Sequence, residues 1–252
     1  MRWYRHVFET MGTMVSIEFA VDGIPERVLD AVHTVFDHFD STYSLYKPHS
    51  ELSRIAAGTI AMVDASEEVR DTYATALAWR AATSGGFSPH RPDGVIDLSG
   101  VVKALAMQDA AAALREAGAL NWCLNVGGDI LVSGCDRDSE PWSIGIVDPD
   151  QRDALLCSAP LRGSRRACAT SGSAERGDHI WTVGADPSSF RQATVIADDI
   201  VTADVLATAI IAGGPSALDQ ICATWDVDVM TVDREGDLRM TPGFTTKVQA
   251  SA

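Results

Sequence analysis

The positions of hydrophobic and polar residues repeat with two different periods, which predict helices and strands in separate runs. The segment MGTMVSIEFAV alternates apolar and polar residues and predicts a strand. Apolar residues at helical spacing predict helices over residues 24–44, 65–86, 97–119 and 198–218, with a short helix from Ser50–Glu51. Further apolar runs predict strands over residues 120–134, 142–148 and 154–172 and a closing hairpin on Glu235–Gly236.

Two of the predicted helices carry end signals. Ser66, followed by two acidic residues, is predicted to begin the second helix, and Gly85–Gly86 to end it. Thr202 is predicted to cap the fourth helix, and Gly213–Gly214–Pro215 to end it. Because helices and strands come in runs rather than in strict alternation, the sequence predicts an α+β fold in a single compact domain over residues 1–252.

The charge of the chain excludes some classes of partner. The sequence has 35 acidic and 20 basic residues, which give a formal net charge of −15. A surface this acidic repels phosphate backbones and anionic lipids, so we expect no nucleic-acid partner and no binding to a membrane surface. A phosphorylated ligand would need a local cation or a metal ion.

Neither the N-terminal residues nor the cysteines indicate export. The N-terminal segment lacks a continuous apolar stretch of signal-peptide length, and no run approaches the ~20 apolar residues of a membrane helix. The five cysteines are odd in number and form no CxxC pair, which is typical of reduced, mostly buried thiols. We therefore expect a cytoplasmic protein without a membrane anchor.

Candidate chemistry begins where a loop becomes a helix, in the segment IDLSGVVK, with Asp97, Gly100 and Lys103. The first backbone N–H groups of a helix lack intrahelical partners, so a lysine beside them favours an anionic ligand. On the fourth predicted helix, Asp204 and Thr208 are four residues apart and share one face. Their oxygens suit a hard cation such as Mg2+. The helix dipole alone also favours an acid near a helix start, and a threonine there can simply pack.

Two glycine-containing loops add further candidates. Asn125–Asp129 (NVGGD) could line a ligand pocket or simply turn a hairpin. Ala169–Gly172 (ATSG) precedes His179, which allows a Ser-His hydrolase hypothesis, although the sequence has no GxSxG motif. Tyr46 and Phe87 flank loops where an aromatic ring could stack on a ligand or pack in the protein. Together these features favour a bulky, anionic, partly aromatic ligand such as a nucleotide or dinucleotide.

Taken in order, the motifs resemble those of the ApbE family, the FAD:protein FMN transferases, which attach FMN covalently to other proteins. The resemblance runs from about residue 8 to residue 214 and rests on MGTMVSI, STYSLYKPHSELSRI, SGGFSP, IDLSGVVKALAMQDAA, NVGGDI, WSIGIVDP, ATSGS, HI and TADVLATAI. It implies an α+β fold with mixed or antiparallel sheets flanked by helices. It also implies FAD as substrate, Mg2+ as metal ion, and an acceptor protein whose threonine or serine hydroxyl takes FMN while AMP leaves.

The same resemblance implies roles for individual residues. Asp204, Thr208 and the backbone carbonyl of Gly100 would hold the metal ion, and His179 would be the general base. The residues implied to bind the flavin nucleotide are Met11, Tyr46, Gly86, Phe87, Ser88, Asp97, Lys103, Asn125, Gly127, Gly128, Asp129, Ser171, Gly172 and Ile180.

The chain also departs from the family pattern. Ser88 and Gln108 stand where the family usually has acids, Ala104 stands where it usually has a glycine, and the loop after His179 lacks the usual Asp-Pro-x-Thr-Gly run. Two alternatives therefore stay open beside the transferase. One is an FAD pyrophosphatase that uses water and gives FMN and AMP, and the other is a non-catalytic FAD-binding protein.

Overall fold

Two antiparallel sheets, six α-helices and a short 3-10 helix (Met62–Asp64) form the regular structure of the part of the chain that the computed structural model describes, which is residues 2–172 and 189–246 and the backbone of 249–250. The strands are β1 (Arg2–Thr10), β2 (Thr13–Val21), β3 (Asn121–Val126), β4 (Asp129–Ser133), β5 (Ser143–Val147), β6 (Leu155–Pro160), β7 (Ala167–Gly172), β8 (Phe190–Ala197), β9 (Asp228–Asp233), β10 (Leu238–Met240) and β11 (Gln249–Ala250). The helices are α1 (Pro25–Tyr43), α2 (Glu51–Ala56), α3 (Glu67–Ala82), α4 (Ser99–Glu116), α5 (Ile200–Thr224) and α6 (Pro242–Thr245).

The larger sheet has eight strands in the order β1-β2-β3-β4-β7-β8-β9-β10, and the smaller has three in the order β11-β6-β5. Helices α1, α4 and α5 pack with one face of the larger sheet around the main hydrophobic core. The smaller sheet packs on the other face around a second core that includes Cys168, Ile196 and Met230. Because side chains alternate along a strand, β7 supplies Ala169 to the helix side and Cys168 to the small-sheet side. The predicted α+β class is confirmed, with every strand pair in these two sheets antiparallel.

The long predicted helices are all present. Helices α1, α3 and α4 bury one face in the core, whereas α5 is buried on nearly all sides as far as Ala212. The cap at Ser66 is confirmed, because its hydroxyl accepts the Val69 N–H at 3.3 Å. The cap at Thr202 is wrong. Asp199 caps α5 instead, and its carboxylate accepts both the Thr202 N–H, at 2.8 Å, and the Thr202 hydroxyl, at 2.7 Å.

The predicted end of the fourth helix at Gly213–Gly214–Pro215 is a break rather than an end. Gly214 has φ 64° and ψ −151°, which are not helical, and helical structure resumes beyond it to Thr224. A glycine tolerates this backbone conformation, and the following Pro215 has no N–H to donate to the preceding turn. The helix is therefore two segments joined at a sharp bend.

By length and composition alone, helix α5 is long and apolar enough to cross a membrane. The prediction that no run approaches the length and apolar character of a membrane helix is therefore wrong. Buried residues make up 67% of its most apolar window. The core helix of a folded domain passes the same test, and α5 packs directly on β7 and β8.

Two turns and the end of strand β7 lie at one edge of the larger sheet, and the strand register places them there. Val15 pairs with Val126, so the Met11–Gly12 turn and the Gly127–Gly128 turn end neighbouring hairpins side by side. Ile130 pairs with Cys168 in antiparallel sense, which brings the end of β7 to the start of β4 at the same edge. The candidate site is built at this edge.

The cysteines are all free thiols, as predicted, although their burial varies. Cys157 and Cys168 are buried, Cys123 and Cys135 are half-buried, and Cys222 is exposed. Burial raises the pKa of the Cys123 thiol to about 12, and burial together with the Asp129 charge raises the pKa of Cys168. These two thiols therefore stay protonated and unreactive near neutral pH.

Candidate functional site

Three buried charged side chains from different elements meet behind the edge turns. The Lys103 ammonium, on α4, forms an ion pair with Asp129 at the start of β4 and lies 3.5 Å from Asp204 Oδ2 on α5. The side chains of Lys103, Asp129 and Asp204 are 12%, 1% and 5% exposed. Burying charges is costly unless they are paired, so this group has to be held together by mutual attraction. One ammonium and two carboxylates give it a formal charge of −1.

The protein engages both carboxylate oxygens of Asp129. Oδ1 accepts the Thr170 N–H at 3.1 Å, which ties the start of β4 to the end of β7, and Oδ2 pairs with Lys103. The residue is 0% exposed. Asp129 therefore anchors Lys103 from the sheet side.

The predicted metal ligands of α5 lie beside this group. Asp204 and Thr208 are one helical turn apart and share a face, and the Thr208 hydroxyl is 3.2 Å from the Ser171 hydroxyl of β7. A hydrogen-bonded pair of hydroxyls next to a buried carboxylate is a set of oxygen donors of the kind that Mg2+ takes. Within residues 2–172 and 189–246, no cluster of three or more His, Cys, Asp or Glu side chains could hold a metal ion. A metal site at Asp204 would thus use a single carboxylate with hydroxyl and carbonyl oxygens.

The Gly86–Phe87–Ser88 turn packs between α4 and α5. A Cβ atom at Gly86 would lie 3.3 Å from the Ala209 side chain, one residue beyond Thr208. The Phe87 ring is 2% exposed and fills the space at Gly100, where a Cβ would come within 2.9 Å of Cε2. Packing against Phe87 is therefore a sufficient reason for a glycine at 100, independent of the metal-ligand role that the resemblance implies for its carbonyl. The turn brings the start of α4 and the middle of α5 together.

The first turn of α4 already has several partners for its N–H groups. Asp97 Oδ1 accepts the Ser99 N–H at 2.9 Å, and the Leu98 carbonyl accepts those of Val101 and Val102 at 3.0 and 2.9 Å. Asp97 thus uses one carboxylate oxygen to order the helix start. The lysine side chain, rather than these amides, is the stronger candidate for contact with an anion.

The Asn125–Asp129 loop is a tight hairpin turn, which confirms one of the two interpretations of this segment. Gly127 and Gly128 have φ 59° and 96°, a region that favours glycine, and Asn125 Oδ1 accepts the Gly128 N–H at 3.0 Å. The Gly127 N–H also donates to the Met14 carbonyl at 3.0 Å, which fixes this turn beside the one that carries Met11. The loop is therefore a rigid wall at the sheet edge.

The positions of Tyr46 and Ser88 relative to the charge group are less closely defined. Tyr46 is 86% exposed after α1, and the hydroxyl of Ser88 accepts the His90 N–H at 3.2 Å. His179 and Ile180 lie outside the described residues. Their roles stay predictions.

Two of the departures from the family pattern, Ala104 and Gln108, lie on opposite sides of helix α4. Ala104 is 0% exposed in the core side of α4, whereas Gln108 lies on the exposed side of the same helix. The change at 108 therefore faces solvent rather than the buried charge group.

Sequence reasoning missed several residues that build the site. The buried Thr83 ends α3, where its hydroxyl accepts the Phe87 N–H at 3.0 Å and donates to the Trp79 carbonyl at 2.8 Å. The Tyr73 hydroxyl bonds His90 Nε2 at 2.8 Å in the loop that follows Ser88. A threonine just before a Gly-Gly pair is a local signal for the first contact, but no spacing rule indicates the second.

Gly172 at the end of β7 provides a test of how tightly the edge is built. A Cβ atom there would lie 2.6 Å from the Arg191 carbonyl of the paired strand, so Gly172→Ala should lower the free energy of unfolding by about 1–3 kcal/mol. Gly23→Ala is the matched control, because its Cβ would meet only Val21 at an ordinary 3.8 Å. Chemical denaturation of both variants measures the difference, and equal stabilities would contradict the packing at Gly172.

Comparison with known proteins agrees with the resemblance seen in the motifs. The model of the ApbE family matches residues 11–92 and 90–231. The FAD:protein FMN transferase of Haemophilus influenzae is 21% identical over 307 residues, which cover 95% of this chain and 87% of that protein. The protein of the same name from Vibrio cholerae is 28% identical over 163 residues, and the match spans 58% of this chain and about half, 47%, of that relative.

Solved structures show the same fold. The flavin transferase ApbE from Vibrio cholerae superposes with a TM-score of 0.82 at 21% identity, over 98% of this chain and 99% of that one. The ApbE protein of Thermotoga maritima superposes with a TM-score of 0.82 at 19% identity, over 98% and 100% of the two chains. Because the family model covers most of its length and its fold is shared, this chain belongs to the ApbE family.

Proposed function

We propose that this chain is a transferase that moves FMN from FAD to a threonine or serine hydroxyl of an acceptor protein and releases AMP. Membership of the ApbE family and the name that the matched relatives carry, FAD:protein FMN transferase, support this activity. The observation that carries the proposal is the buried group of Lys103, Asp129 and Asp204, with the Thr208 hydroxyl, beside the two edge turns and the end of β7.

With a divalent cation bound to offset its formal charge of −1, the charge group would suit a diphosphate. Lys103 is a largely buried cation in a chain of net charge −15, and it pairs with Asp129 beside the Gly127–Gly128 turn. A cation in a site shielded from water attracts a phosphate oxygen more strongly than it would at the surface. The Gly127–Gly128 turn lets a ligand approach the backbone at the same edge, because glycine carries no side chain.

The transfer is a displacement at phosphorus. The acceptor hydroxyl oxygen forms a bond to the FMN-side phosphorus of FAD, the bond from that phosphorus to the bridging oxygen breaks, and AMP leaves with that oxygen. The hydroxyl proton passes to His179, whose residue type titrates near neutral pH and suits a general base. Most of the catalytic effect of a protein in such reactions comes from positioning and charge stabilisation.

We further propose that Asp204, Thr208 and the Gly100 carbonyl hold Mg2+. The residues fit this ion, because Asp204 supplies a buried carboxylate, Thr208 a hydroxyl on the same helix face, and the charge group has a formal charge of −1 that a further cation would offset. Bound there, Mg2+ would neutralise negative charge that develops on the diphosphate. Phe87 packs against Gly100 of α4, and the neighbouring Gly86 lies against Ala209 of α5, so this turn connects the two helices that carry the proposed ligands.

His179→Gln should leave FAD binding within about twofold of the unchanged protein and slow transfer by about 10²–10⁴-fold, because it removes the proton acceptor and keeps a polar side chain of similar size. FAD affinity is measured by flavin fluorescence and transfer by the rate of AMP release. A transfer rate equal to that of the unchanged chain would remove His179 from the mechanism.

The proposed activity is tested with FAD, Mg2+ and an extract of the organism that encodes the chain. We expect flavin fluorescence on a protein band that survives denaturation, together with an equivalent amount of AMP. Free FMN and AMP in the absence of any acceptor would favour the pyrophosphatase instead. Intact FAD with no labelled protein would favour the non-catalytic flavin-binding alternative.

A further inference from the structure

The ammonium of Lys103 lies between the carboxylates of Asp129 and Asp204 and is not equidistant from them. It is in closer contact with Asp129 than with Asp204, whose Oδ2 lies 3.5 Å away. An ammonium has three donors and can serve two carboxylates at once. In a buried site the attraction between charges at this separation is strong, so the position of the lysine is set by the balance between the two acids.

Asp129 is held in place independently of the lysine. Its Oδ1 accepts the Thr170 N–H at 3.1 Å, and the residue is 0% exposed at the first position of β4. The carboxylate is thus fixed by the sheet, whereas Lys103 reaches it through a flexible side chain. Each oxygen of Asp129 thus has a partner within the protein.

We propose that Asp129 is a positioning residue, whose buried carboxylate keeps the Lys103 ammonium off Asp204 and so leaves Asp204 able to bind a divalent cation. A lysine ammonium and a divalent cation compete for one carboxylate, because both are cations and repel each other at short range. Asp129 pairs with the ammonium and so reduces its interaction with Asp204. The Asp204 carboxylate is then left for the metal ion. This inference rests on the proposed metal site at Asp204.

The inference predicts a specific coupling between residues 103 and 129. Without the Asp129 charge, Asp204 is the other carboxylate that the described residues place within ion-pair distance of Lys103, and the ammonium moves towards it. Asp129→Asn should therefore weaken metal binding about tenfold or more, although residue 129 is not itself a metal ligand. In a Lys103→Met background the same change should alter metal affinity by less than about threefold, because no ammonium is present to shift.

The measurement is the dissociation constant of Mn2+, followed by the electron paramagnetic resonance of the free ion. The proteins are the unchanged chain, Asp129→Asn, Lys103→Met and the double variant. Equal effects of Asp129→Asn in both backgrounds would mean that Asp129 acts only by adding negative charge, and the inference would be overturned. No effect in either background would overturn it as well.

A second measurement covers the case in which Lys103→Met does not fold. In a metal-free crystal structure of Asp129→Asn, Lys103 Nζ should lie within about 3.0 Å of an Asp204 carboxylate oxygen, a normal hydrogen-bond distance. An ammonium that stays where it is now, 3.5 Å from Asp204 Oδ2, would contradict the inference.

Failure of the proposed metal site gives a different result from failure of this inference. If the unchanged chain binds no Mn2+, or if Asp204→Asn binds it equally well, the proposed metal site at Asp204 is wrong, and the proposed role of Asp129 is wrong as well. If the unchanged chain binds Mn2+ through Asp204 and Asp129→Asn binds it as tightly, only the role of Asp129 is lost.

Discussion

Replacing Asp204 with asparagine should reduce FMN transfer by about 10³-fold and leave the chain folded. The amide keeps the shape of the carboxylate but removes the charge that we expect to hold Mg2+. Loss of a metal ion that stabilises developing charge costs several kcal/mol of activation free energy, and each ~1.4 kcal/mol is a factor of ten in rate. Lys103 keeps Asp129 as its ion-pair partner, so the buried group does not lose all compensation.

Transfer is measured by AMP release, and folding by thermal unfolding. Asp226→Asn is the matched control, because Asp226 is a 97% exposed partner of Arg165 and should be neutral in both assays. If Asp204→Asn unfolds while the control does not, the role of Asp204 is structural. If it stays folded and retains full transfer with Mg2+, Asp204 does not hold the metal ion.

Replacing Lys103 with methionine should have the largest effect on stability of any single change at the site. It leaves Asp129 and Asp204 buried without the ammonium that they share, and breaking a buried ion pair in this way costs about 3–5 kcal/mol of the free energy of unfolding. The change also removes the buried cation that we expect to contact the diphosphate. FAD binding by whatever fraction folds should therefore fall as well.

Lys47→Met separates this effect from the loss of any lysine. Lys47 also forms an ion pair, with Asp40, but its side chain is 52% exposed, and such pairs contribute about 0–1 kcal/mol. Adding Asp129→Asn to Lys103→Met should recover part of the lost stability, since it removes one uncompensated buried charge. Equal denaturation midpoints for Lys103→Met and Lys47→Met would show that the buried group is not held by the lysine.

Much of the fold follows from local patterns in the sequence, and the exceptions have identifiable causes. Helix α1 has an apolar stripe at helical spacing and a polar face, so its period is easy to read. Strand β8 was not predicted. It lies near the centre of the large sheet, is buried along almost its whole length, and so lacks the alternation that marks a half-buried strand. Strand β1, at the sheet edge, was also not predicted, because the adjacent apolar pairs Trp3–Tyr4 and Val7–Phe8 break the alternation of polar and apolar residues.

The candidate site was predictable in part. The four-residue spacing of Asp204 and Thr208 indicates a shared helix face, and α5 confirms it. The contact of Lys103 with Asp129 and Asp204 depends on how β4, α4 and α5 are arranged in three dimensions, and no local spacing encodes it. The same holds for Gly100, whose packing partner Phe87 comes from a separate turn.

Binding of FAD with and without Mg2+ tests the central claim most directly. FAD is titrated into the unchanged chain and into Asp204→Asn without an acceptor, and the nucleotide is then analysed by chromatography. We predict that the unchanged chain binds FAD more tightly with Mg2+, that this enhancement is lost in Asp204→Asn, and that the FAD recovered is intact. Failure of the unchanged chain to bind FAD, with or without Mg2+, would contradict the proposed function.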